Sequence, residues 1–177
     1  MLLKWLKKIL WTISIVSIVS CGSDYIITKN GIKGLPVDVR TYGDTVIAAE
    51  LKPYYIEFIN RVIERDKLYL IVKALTEFRI MNFTILDGNK IGLCTINETK
   101  NANGWKSHRY VAIDTTIENQ YIEQTSFHEL AHCLLDADHS DDPDNLLYPT
   151  VSIPYDDYIS DRDYYIEKML DFAIGNR

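Results

Sequence analysis

The stretch His128-Glu129-Leu130-Ala131-His132, with His139 soon after it, constrains this chain more than any other. His128 and His132 are four residues apart. On a helix they lie one turn apart on the same face, close enough for both imidazoles to hold one metal ion. Glu129 follows the first of them, and in an H-E-x-x-H helix the two histidines hold Zn²⁺ while the glutamate takes a proton from a water on the metal. If His139 is the third ligand, the helix must end before it. At 1.5 Å rise per residue an unbroken helix would carry His139 about 10 Å past His132, whereas Zn–N bonds are about 2.0–2.1 Å long. No glycine lies between Leu135 and His139, so Asp136 or Asp138 is the expected breaker, Asp being tolerant of the left-handed conformation. The same turn could instead bring the Asp138 carboxylate to the metal.

The N-terminus points to export. Lys4, Lys7 and Lys8 precede an apolar run over residues 9–19, the order of a secretory signal, and the run is shorter than the roughly 20 residues of a spanning helix. Ile18-Val19-Ser20-Cys21 resembles the lipobox of bacterial lipoproteins, which implies cleavage after residue 20 and lipid on Cys21 as a membrane tether. Gly22, rather than aspartate, follows the cysteine. In an outer-membraned bacterium this implies the outer membrane, with the domain facing the periplasm or the exterior. Loss of residues 1–20 removes three lysines and no acids, taking the formal net charge from −6 to −9. No cluster of Lys and Arg remains, which argues against nucleic acid as a partner.

Residues 21–36 read as a tether, rich in Gly and polar residues, and residues 37–177 as one domain. Within it, residues 37–40 suit a short strand and Gly43-Asp44 a turn. Ile56, Ile59, Val62 and Ile63, with Pro53 ahead of them, predict an amphipathic backing helix over residues 53–66. Residues 68–80 fit helix or strand equally. Phe83-Thr84-Ile85-Leu86 is β-rich, Asp87-Gly88 is a turn dipeptide, and residues 91–96 and 109–114 suit further strands, with residues 97–106 a polar loop between them. The motif helix is expected to start near Thr116 as its cap. Ser160-Asp161-Arg162-Asp163 reads as the capped start of a terminal helix, with Gly175 as its stop.

The order strand, motif helix, turn, third ligand and tight turn before a last helix resembles the metzincin zinc peptidases, whose strict pattern is H-E-x-x-H-x-x-G-x-x-H with a methionine turn beneath the metal. Leu135 stands here in place of the glycine, His139 comes one residue later, and Leu147 takes the place of the methionine. More similar still is a group of small bacterial lipoproteins, zinc metallopeptidases of the type H-E-L-G-H-C-x-L-x-R-x-H with a Gly-x-Cys strand upstream. His128, Glu129, Leu130, His132, Cys133, Leu135 and His139 match that spacing, and Gly92-Leu93-Cys94 matches the strand. Ala131 and Ala137 replace its glycine and arginine. The resemblance covers roughly residues 50–150.

The resemblance implies an α+β, metzincin-like fold with a small mixed sheet, a backing helix, an active-site helix and a C-terminal helix. It implies His128, His132 and His139 as ligands of Zn²⁺, Glu129 as general base, a peptide or protein substrate, and a disulfide between Cys94 and Cys133. Cys133 points about 100° away from His132 around the helix, which makes it a poor metal ligand. Leu147 is expected as a hydrophobic floor. Tyr148, Tyr155 and His108 are candidates to donate to an oxyanion, although packing or surface roles are commoner for such residues. The substitutions at Ala137 and Leu147 leave a second expectation open, a zinc-binding lipoprotein without catalysis that serves as a binding or structural module.

Overall fold

The apolar spacing after Pro53 folds as helix α1, Lys52–Glu64, with the proline in its first turn and Tyr55, Phe58, Ile59 and Val62 buried. This computed structural model describes residues 45–102 and 104–176. The signal, the tether, Cys21 and the expected strand and turn over residues 37–44 lie outside the described residues. The segment that fitted either helix or strand is both. Helix α2, Leu68–Glu77, buries Ile71, Ala74 and Leu75, and the chain then extends at Phe78 into a strand.

The fold is α+β with a four-stranded mixed sheet. Its strands are β1 (Val46–Ile47), β2 (Phe78–Thr84), β3 (Gly92–Asn101) and β4 (Gly104–Asp114), in the order β1-β2-β4-β3. β1 and β4 run parallel to β2, and β3 runs antiparallel to β4. Ile85 and Leu86, expected in a strand, lie beyond the end of β2. The turn at Asp87-Gly88 does not pair the β-rich runs on either side of it, because β4 sits between β2 and β3. The predicted loop over residues 97–106 is the largest departure. The β3–β4 ladder runs through it to Asn101 opposite Gly104, so cross-strand hydrogen bonding overrides the low β propensity of its Asn and Lys residues.

The motif lies on α3, Ile122–Leu135, which follows a 3₁₀ turn at Asn119–Tyr121. Thr116 does not cap this helix. Its N–H (2.7 Å) and hydroxyl (2.5 Å) both donate to the Asp114 carboxylate, which also accepts the Leu86 N–H at 2.6 Å. An Asx-type turn therefore consumes the expected cap. α3 touches β3 and β4, and also α1, α2 and the C-terminal helix α5, Arg162–Gly175. Ten of its fourteen residues are buried, which makes it the core element rather than an amphipathic surface helix. A short helix α4, Tyr155–Ser160, leads into α5. Asp161 occupies the N-cap position of α5 but makes no capping bond through its side chain. No helix among the described residues is long and apolar enough to cross a membrane.

Candidate metal centre

α3 ends where the chemistry needs it to end. Asp136 adopts the left-handed conformation (φ 45°, ψ 35°), and the N–H groups of Asp136 and Ala137 both turn back onto the Ala131 carbonyl. This break has two consequences for the site. The Ala137 carbonyl swings under His132 and accepts its Nδ1–H at 2.6 Å, and the chain reverses far enough to bring His139 back. The rings of His128, His132 and His139 then gather with centroids 4.5, 4.6 and 5.3 Å apart.

The tautomers follow from the backbone. His128 Nδ1 faces the Leu146 carbonyl at 2.6 Å and His132 Nδ1 faces that of Ala137, and only an Nδ1–H can satisfy either contact. Both Nε2 atoms are therefore bare lone pairs, 2.9 Å apart. That separation is well under twice the Zn–N bond length, about 4 Å, so one ion can touch both. Two lone pairs at this distance repel unless a cation lies between them, and one ligand atom from each of the three histidines falls within 4.8 Å of the others. The three histidines together can hold a metal ion. Burial pushes His128 down to about 4, with the charges of His132 and His139 adding and the Leu146 carbonyl opposing. His132 is lowered as well, chiefly by burial. Neutral imidazoles are the form that binds metals. Asp138 is not part of the group that converges.

Glu129 is buried beside this triad but is not one of the converging ligands. Burial pushes its carboxyl up to about 7, against a hydrogen bond from the Cys94 N–H. Its space is made by Gly92, where a Cβ would stand 2.6 Å from Glu129 Oε1 and 2.6 Å from Thr125 Cγ2. Cys94 and Cys133 are joined by a disulfide (S–S 2.02 Å), which ties the edge strand β3 to the helix next to His132. A cavity of about 830 Å³ opens over the triad, walled by β3, by the first turns of α3 and by the segment over residues 145–153. Tyr148 lines it, whereas Tyr155 and His108 do not. Leu147 is fully buried between Leu146 and Tyr148, which both face the cavity.

Arg109 and Asn145 help to hold this site and are not singled out by sequence reasoning, and the role of Gly92 goes beyond its place in the Gly-x-Cys match. Arg109 is buried on β4 and donates to Glu77 (2.8 Å), to the Cys133 carbonyl in the last turn of α3 (2.7 Å) and to the Asp136 carboxylate. It thus caps the motif helix and grips the residue that breaks it. The available signal is a charged residue opening the apolar run Tyr110-Val111-Ala112-Ile113, since a buried charge needs a partner. Asn145 is buried and accepts the Leu147 N–H through Oδ1 at 2.9 Å, while its carbonyl accepts the Tyr148 N–H at 2.9 Å. This turn aims the Leu146 carbonyl at His128. Gly92 carries the usual signal of a lone glycine in a strand, the close approach of another group.

Comparison with protein families, curated proteins and solved structures finds no match to this chain.

Proposed function

We propose that this chain is a zinc metallopeptidase of metzincin-like architecture, held by lipid on Cys21 at the bacterial cell envelope, at the outer membrane facing the periplasm or exterior. Its substrates are peptides or proteins. One observation carries the reading. Two helix histidines are locked as Nδ1–H tautomers by backbone carbonyls and converge with His139, while a buried glutamate follows the first of them at the wall of an open cavity. Three imidazoles with a solvent-facing side are the donor set of catalytic zinc. The succession of motif helix, break at Asp136, His139, tight turn at Asn145 and terminal helix supports the metzincin-like part.

When bound, Zn²⁺ supplies Lewis acidity, lowering the pKa of a water toward about 7 and polarising a carbonyl. The chain supplies the rest. Glu129, raised by burial and steadied by the Cys94 N–H, accepts the proton of the attacking water and returns it to the leaving amine. β3 is an edge strand with β4 as its neighbour, and Gly92, Leu93, Cys94 and Ile96 on it border the cavity, so an extended peptide can lie along it.

The test uses the full chain in detergent, loaded with zinc. Glu129→Gln should bind one zinc per chain and lose peptide hydrolysis by about 10²- to 10⁴-fold. Unchanged hydrolysis in that variant would sink the peptidase reading. Full zinc occupancy with no turnover of a broad peptide library by the native chain would favour a binding module instead. Incorporation of a labelled fatty acid should be lost in Cys21→Ala.

A further inference from the structure

The first turn of α3 places two residues at the cavity wall whose buried polar groups are not satisfied among the described residues. Gln124 and Thr125 are each only 3% exposed, and both line the cavity. Gln124 Nε2 and Thr125 Oγ1 have no hydrogen-bond partner among the described residues. A helical threonine usually returns its hydroxyl to the carbonyl three or four residues back. Here the Thr125 methyl packs against Gly92 and the hydroxyl makes no such bond. Leaving a buried donor unmade costs about 1–3 kcal/mol, so such groups in a cavity mark a place where a ligand completes the set.

The position is as telling as the chemistry. Gln124 stands one helical turn before His128 on the same face, and Thr125 one turn before Glu129. The two groups therefore lie within one turn of the residues assigned to the chemistry. An amide nitrogen only donates, whereas a hydroxyl can also accept. A side-chain carboxamide complements both, its oxygen accepting from Gln124 and its NH₂ donating to Thr125. An aliphatic side chain would leave both groups buried and unpaired. From these observations we infer that Gln124 and Thr125 form a specificity pocket for an asparagine or glutamine side chain of the bound peptide. This rests on the cavity being the peptide site proposed above.

The test separates the two readings by measuring binding as well as cleavage. A randomised hexapeptide library is offered to the zinc-loaded full chain, with cleavage sites read by mass spectrometry. The same library is offered to immobilised Glu129→Gln, and the retained peptides are sequenced. Asn or Gln should be enriched over Leu and Met about tenfold or more at one position, both beside the cleaved bond and in the retained pool. Gln124→Leu and the more flexible Gln124→Met should abolish that enrichment while keeping zinc stoichiometry and the circular-dichroism spectrum, and Thr125→Val should reduce it. Cleavage with an aliphatic preference unmoved by Gln124→Leu would overturn the pocket and leave the peptidase standing. Carboxamide-dependent retention without cleavage would overturn the peptidase and leave the pocket standing. Neither cleavage nor retention would overturn the pocket as well.

Discussion

Two arginine networks in this molecule use the same chemistry toward different ends. On the outer face, Arg61, Arg65 and Arg162 lace α1 to α5 through Glu57, Asp163 and Glu167, with side chains between 16% and 78% exposed. Inside, a single arginine, Arg109, with 7% of its side chain exposed, joins Glu77, Asp136 and the Cys133 carbonyl. The outer network is redundant, since each acid meets an arginine that has other partners. The inner one has a single buried cation, with the exposed Lys73 reaching Glu77 from outside at 3.7 Å, and sits where α3 must stop. Ion pairs distributed over a surface tune stability, whereas a lone buried cation fixes a backbone turn on which the convergence of three histidines depends.

The largest test of that contrast is Arg109→Met. It leaves the Glu77 carboxylate, 13% exposed, with the exposed Lys73 ammonium 3.7 Å away and takes the Arg109 contact from Asp136. Breaking one side of a buried pair costs about 3–5 kcal/mol, which denaturant unfolding of the metal-free chain should detect. Zinc affinity, measured by competition with a chelating dye, should fall about 10- to 100-fold, as it does when groups behind metal ligands are removed. Native zinc affinity in an otherwise destabilised Arg109→Met would show that the arginine holds the fold but not the site.

A pair of substitutions at Asp136 then divides the ionic role from the backbone role. Asp136→Gly loses the carboxylate but keeps easy access to the left-handed conformation, while Asp136→Ala loses both. The alanine variant should therefore unfold at about 1 kcal/mol lower free energy than the glycine variant and bind zinc more weakly. Equal behaviour of the two would mean that the break in α3 is set by Arg109 and the following residues, not by the conformation of residue 136.

These positions also show how far sequence could reach. The helical period of the histidines and the rise per residue require the break before His139, and the shortage of glycine narrows it to an aspartate, as found at Asp136. That inference is local, and local geometry is what a sequence carries. The long β3–β4 hairpin is not local, because its Asn-rich end reads as loop until each residue is given its partner across the ladder. The capping role expected of Thr116 fails for a related reason, since Asp114 competes for the same donors. Arg109, Asn145 and Gly92 act through contacts to residues up to 32, 3 and 37 positions away, of which only the Asn145 turn lies within reach of a sequence window.

The smallest effect belongs to the outer network, and its smallness is the point. Arg162 bonds both Glu57 oxygens, at 2.6 and 2.9 Å, with side chains 28% and 32% exposed. Arg162→Met should cost about 1 kcal/mol or less, and the loss should shrink in 1 M salt, where the screening length is about 3 Å. Zinc affinity should not change. The pH dependence has a definite sign. Burial raises the Glu57 carboxyl, but hydrogen bonds from Arg162 and Arg61 outweigh it and hold the group below its ordinary 4.5. Above that pH both folded and unfolded chains carry the ionised group, and the stabilisation is complete. As pH falls below 4.5 the unfolded chain takes up its proton first, so the contribution drains away through the lowered folded value. The difference between native and Arg162→Met in thermal unfolding should thus be present at neutral pH and vanish well below 4.5. A difference that persisted in acid, or a fall in zinc affinity, would mean that the outer network also braces α3 through Glu123, and the division between the two networks would not hold.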